Sequence, residues 1–238
     1  MNKLSDSLIF SFFVSLSMVT IDALYHLATE TAVHINYVAV KFTVIFFVVF
    51  LVSYMVGKSL KDGIFSSVAG PVVFYFYYVF ANPTLNRAVF KIDENVGYIF
   101  VHIAAMLLAY FSVYNYWLAK KGGKFMKSAA YAFVIALCVF GIYAGFKMGN
   151  SQLASHDEEQ VVKVLSFQSS FHFFLAVFAL SFISDFFIRH EELKTALFAI
   201  CAGLIAFIWD KNPITSGVVL ASAAALSFLG GFYIKQTK

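Results

Sequence analysis

Five ionisable side chains stand inside apolar stretches where charge is otherwise scarce: Asp22, His26, Lys41, His102 and His172. Six more, Glu30, His34, His156, Asp157, Glu158 and Glu159, lie just beyond the ends of those stretches. A charged group at the centre of a bilayer costs roughly 2.5–3.5 kcal/mol on insertion scales, so such residues persist as functional sites or as buried pairs. Asp22 and His26 are four apart and share a helix face, with Ser11 and Ser15 falling near it. A carboxylate with two or three imidazoles is a donor set for Zn, Fe or Cu. Asp22, His26, His102 and His172 are therefore the candidate metal ligands, and Lys41 is their candidate charge partner. His102 and His172, on separate spans, also form the minimal axial pair for a haem b. The plainer alternative pairs Asp22 with Lys41 across the first hairpin and leaves both histidines as neutral, hydrogen-bonded core residues. Asp22, His26, His102 and His172 would otherwise serve as acid/base groups, and no catalytic residue is assigned.

These residues must be held by membrane-spanning helices. The 238 residues are 61% hydrophobic and 13% charged, with a mean hydropathy of +0.81. They break into about eight apolar stretches of roughly 17 to 27 residues, the length that crosses a bilayer as a helix. The spans read 7–28, 36–57, 63–81, 96–119, 127–147, 162–188, 194–210 and 213–234. The expected fold class is all-α, a polytopic transmembrane helix bundle forming a single integral-membrane domain over 1–238. The third span holds Gly70-Pro71 and is expected to be kinked or re-entrant, which would leave seven crossings. The last two spans are joined by Asp210-Lys211-Asn212-Pro213, a turn that forces an antiparallel hairpin.

Orientation follows the basic residues. With the N-terminus inside, eleven Lys and Arg lie on the cytoplasmic side and five outside, so both termini are expected in the cytoplasm of a cell-membrane protein. At about 1.5 Å per residue, Asp22, Lys41 and His102 share a layer in the outer half. His172 lies deeper, and the inner half shows little comparable polarity.

Smaller features complete the reading. His102, Ala105, Ala109 and Ser112 repeat at helical spacing as a close-packing face. Gly141 and Gly145 form a GxxxG pair suited to a close helix contact. Asp185 and Arg189 are spaced for a surface ion pair. The 30 Phe face lipid or pack the bundle, and Cys138 and Cys201 are mid-span packing residues. Lys120, Lys121, Lys124 and Lys127 mark the cytoplasmic side or meet anionic headgroups.

Three functions compete. The first is a membrane-embedded metal- or haem-dependent enzyme acting on a small or lipophilic substrate. The second is a transporter or channel whose ion or proton path is lined by the same residues. The third is a non-catalytic membrane subunit or lipid-binding scaffold. Membrane lipids and other membrane subunits are the expected partners. Nucleic acid is not, because the basic residues flank spans. The last two spans carry no deep lysine for a retinal Schiff base, and no HExxH, P-loop, dinucleotide fingerprint or CxxC occurs.

Overall fold

The computed structural model describes the backbone of residues 3–28, 35–81, 92–118, 123–154 and 167–236 and the side chains of 3–26, 37–77, 99–114, 123–147 and 170–231. Among the described residues every regular element is an α-helix: α1 Lys3–Ala28, α2 Ile35–Met55, α3 Leu60–Ala81, α4 Ile92–Leu118, α5 Lys124–Ala154, α6 Phe167–Phe187, α7 Glu191–Asp210 and α8 Pro213–Gln236. Six of them, all but α3 and α4, are long and apolar enough to cross a membrane, and α4 has a shorter apolar run at Ile99–Tyr114. The loop carrying His156, Asp157, Glu158 and Glu159, together with Glu30 and His34, lies outside the described residues.

Burial is inverted relative to a water-soluble protein. On α2 the buried stripe is Lys41, Ile45, Val49 and Ser53, while Phe47, Leu51 and Met55 are exposed. α7 buries Lys194, Phe198, Ala202 and Ala206 and exposes Leu193, Leu197, Ile200, Leu204 and Ile208. Apolar outer faces with polar residues inside are what lipid demands, because a charge is cheaper among protein partners than in hydrocarbon.

The chain divides into two compact units, residues 1–22 with 36–111 and residues 23–35 with 112–238. In the first, α3 starts on a reciprocal cap: Ser59 N–H donates to Asp62 Oδ2 at 2.8 Å and Asp62 N–H to Ser59 Oγ at 3.3 Å. α3 is helical through Pro71. Close approach is set by glycine. A Cβ at Gly63 would stand 2.5 Å from the Tyr110 ring, and one at Gly70 would stand 2.9 Å from Ile45. Tyr110 is buried and also meets Phe10 edge-on, with ring centroids 5.3 Å apart. This ties α1, α3 and α4 together.

In the second unit, α7 and α8 form the expected hairpin. Lys211 takes the left-handed conformation (φ 51°) and closes α7 by donating its N–H to Phe207 O at 2.7 Å. Asn212 Oδ1 then accepts from Ile214 N–H at 2.9 Å, capping α8, and Pro213 occupies its first position. Gly203 admits Leu220, and Ser216 Oγ donates to Gly203 O at 2.7 Å. The close contact thus falls at Gly203. A Cβ at Gly145, half of the GxxxG pair, would meet nothing within 4 Å.

Candidate functional site

The first unit centres on a buried ionic cluster. Asp22 comes from α1, Lys41 and Tyr37 from α2, and His102 from α4. Lys41 is fully buried, and Asp22 and His102 are each 2% exposed. The Lys41 ammonium meets Asp22 Oδ2 at 2.6 Å and donates to Tyr37 Oη at 2.9 Å. It also contacts His102 Nε2. That same nitrogen lies 3.0 Å from Asp22 Oδ1 and 3.3 Å from Tyr37 Oη. The rings of Tyr37 and Phe74 flank the ammonium, with centroids 4.9 and 5.3 Å away.

Each position has a local cause. Asp22 continues the small polar face of α1, where Ser7, Ser11 and Ser15 are all fully buried. Ser11 Oγ donates to Ser7 O at 2.6 Å and faces Ser53 Oγ of α2 at 3.4 Å. His102 stands on the small face of α4 with Ala105 and Ala109, both buried. Lys41 heads the buried stripe of α2.

The chemistry of the cluster turns on His102 Nε2. A neutral imidazole nitrogen either carries a hydrogen or offers a lone pair, never both. When Nε2 offers its lone pair, it accepts from the Lys41 ammonium and makes no hydrogen bond to Asp22. When Nε2 carries the hydrogen, it can no longer accept from Lys41, which is then held by Asp22 and Tyr37 alone. The position of one proton therefore decides whether Lys41 and His102 join α2 to α4. The Asp22 carboxylate and the Lys41 ammonium offset one another's charge, as buried ions must be paired.

The four candidate metal ligands divide between the units. Asp22 and His102 belong to the first, and His26 and His172 to the second. His26 is half-buried, with its ring 5.9 Å from that of Tyr25. His172 is exposed on α6. Among the described residues, no three of His, Cys, Asp and Glu gather as metal ligands. Lys41 holds the ground a cation would take: its ammonium touches both the Asp22 carboxylate and the His102 nitrogen that a metal or a haem iron would require. The donor set fits an internal ammonium in place of a metal ion.

A second buried cluster was not foreseen. Lys194 of α7 is 2% exposed. It pairs with Asp185 of α6 at 2.9 Å and with Glu191 at 2.7 Å. Asp185 Oδ2 also accepts from Ser128 Oγ of α5 at 2.7 Å. The Lys194 ammonium lies 4.8 Å from the centroid of Tyr131, whose hydroxyl meets Ser227 of α8 at 3.0 Å. Asp185 thus turns inward to Lys194, correcting the expected surface pair with Arg189, which is exposed. Lys194 is one of the eleven basic residues that the charge count places on the cytoplasmic side. The available signal was its spacing: Lys194, Phe198 and Ala202 repeat every four residues along one face.

No family model, curated protein or solved structure matches this chain.

Proposed function

We propose that this chain is an integral membrane protein that moves protons, alone or together with a solute, and that Asp22, Lys41 and His102 form its proton-holding site. The observation that carries this reading is the sharing of one imidazole nitrogen by a carboxylate, an ammonium and a phenol, all inside an apolar helix unit. Moving one proton onto that nitrogen would release the bond between α2 and α4, with the Asp22 carboxylate of α1 3.0 Å away. A two-state element of this kind is what coupling a proton to helix movement requires. Tyr37 supplies a hydroxyl that can accept from Lys41 or donate to His102, so it can carry the proton between them. The metal- and haem-dependent enzyme reading is less well supported, because Lys41 would have to leave before a metal could reach Asp22 and His102.

The test is reconstitution into liposomes enclosing a pH-sensitive dye, with proton entry driven by a potassium-valinomycin potential. It is run alone and with a panel of inorganic cations, amino acids and sugars outside. Wild type should acidify the lumen in at least one condition, and His102→Gln, which retains an amide but no titratable nitrogen, should not. Acidification no faster than in empty liposomes under every condition would overturn the proposal. The near-complete burial of all three groups would then be read as a structural clamp between α1, α2 and α4.

A further inference from the structure

Beside the Lys194 cluster lies a cavity of about 350 Å³ between the first turns of α7 and the last turns of α8, lined in part by Glu191, Glu192, Thr195, Ser227, Phe228 and Gly231. We infer that it binds an organic ammonium group, and that its natural occupant is the amine headgroup of a phospholipid such as phosphatidylethanolamine. This inference rests on the chain being a membrane protein and is independent of proton movement.

Charge selects the ligand class. Glu191 and Glu192 line the cavity, and Asp185 lies behind Glu191 on the other side of Lys194. The single ammonium of Lys194 leaves this group of carboxylates with a net negative charge. Thr195 Oγ1 and Ser227 Oγ are 3.2 Å apart, and Ser227 continues to Tyr131. A chain of hydroxyls can run in either direction, so Thr195 can offer the cavity a donor or an acceptor. A headgroup bearing an ammonium beside phosphate-ester oxygens needs both. Phe228 is 61% exposed and presents an aromatic ring to the cation.

The backbone makes room for the acid. A Cβ at Gly231 would stand 2.6 Å from Glu191 Oε2. Glycine at 231 is therefore what lets that carboxylate sit at the cavity wall while it holds Lys194.

Depth selects the source. α7 is 20 residues long, or about 30 Å at 1.5 Å per residue, the thickness of the hydrocarbon layer. Its first turn therefore falls at headgroup level. Leu193 and Leu197 are exposed on the same end of α7 and continue the path of an acyl chain.

The experiment is native mass spectrometry of the full-length protein in detergent with equimolar phosphatidylethanolamine and phosphatidylglycerol. Wild type should retain the ethanolamine lipid preferentially. Glu192→Gln and Thr195→Val should each cut that preference about two- to fivefold, the loss of one exposed polar contact. Gly231→Ala, which displaces Glu191, should cut it as well. Glu192 is exposed and outside the ion pairs described, so an unchanged melting temperature of Glu192→Gln separates lost binding from lost folding. Displacement of the lipid by millimolar ethanolamine would make a small amine a sufficient ligand. Failure to displace it, with the preference intact, would assign the site to the lipid itself. Equal retention of both lipids by wild type, or a preference that all three variants leave unchanged, would overturn the inference.

Discussion

Each unit buries a lysine against an aspartate under an aromatic ring, but the two clusters are closed to different degrees. Around Lys41, the side chains of Asp22 and His102 are each 3% exposed. Around Lys194, Asp185 is 19% and Glu191 30% exposed. The first cluster therefore has no cheap substitute for a lost partner, whereas the carboxylates of the second can turn to water or headgroups. The partners differ as well. Lys194 faces two carboxylates, which fix its charge firmly. Lys41 faces one carboxylate and an imidazole, whose nitrogen can accept or donate. A buried lysine alone thus says little about function. What it shares its hydrogens with says more.

Four substitutions would break or sharpen this contrast. The largest effect is expected from Lys41→Met, which strands the Asp22 charge in the sealed unit and should cost about 3–5 kcal/mol of stability. The double variant Asp22→Asn/Lys41→Met should recover most of that loss, and thermal unfolding in nanodiscs would show it. A double variant no more stable than the single would mean that the pair is not the energetic unit described. Lys194→Met should cost less, about 1–3 kcal/mol, since its carboxylates can be resolvated. A loss equal to that of Lys41→Met would erase the distinction between sealed and open clusters. Gly63→Ala comes next. It drives a methyl into the Tyr110 ring and should cost about 1–3 kcal/mol. Smallest is Gly145→Ala, where the added methyl meets open space and helix propensity should contribute about 0.5–1 kcal/mol in favour. Paired melting curves of the two alanine variants would check which glycines mark close helix contacts.

Much of the first cluster was legible because its residues violate their surroundings. A lysine five residues into an apolar span has few tolerable fates, and Asp22 on the neighbouring span is the nearest remedy. His102 was placed inward by Ala105 and Ala109, and the serine face of α1 pointed the same way. Tyr37 was missed because a tyrosine at a span boundary reads as part of the aromatic belt. Lys194 was missed because a charge at a helix start, among Arg189, Glu191 and Glu192, looks like topology. The partner of Asp185 depends on how α6 is rotated against α7, which spacing within one helix does not encode. The close contacts at Gly63, Gly70 and Gly203 are single glycines whose partners lie on other helices, so no local motif announces them. His26 is grouped with Asp22 by its four-residue spacing on α1 and His172 by depth, and neither spacing nor depth says which unit a residue joins.

Stacked phenylalanines run along one helix of each unit. Phe42, Phe46, Phe50 and Tyr54 line α2 and Phe174, Phe178, Phe182 and Phe186 line α6, neighbours in each row stacking at centroid distances of 5.6 to 6.5 Å. Both rows follow the four-residue step of the helix and leave its lysine-bearing or aspartate-bearing face free.

The order of synthesis gives the Lys41 cluster a history. Asp22 leaves the ribosome first and Lys41 follows on the next helix, so the two charges can neutralise one another as soon as the first hairpin enters the bilayer. His102 lies 61 residues beyond Lys41, which at about 5–20 residues per second is a delay of roughly 3–12 s. During that interval the hairpin is electrically quiet but chemically unfinished, with the ammonium of Lys41 awaiting its third partner. α4 thus arrives with the residue that completes a cluster its two predecessors have already begun.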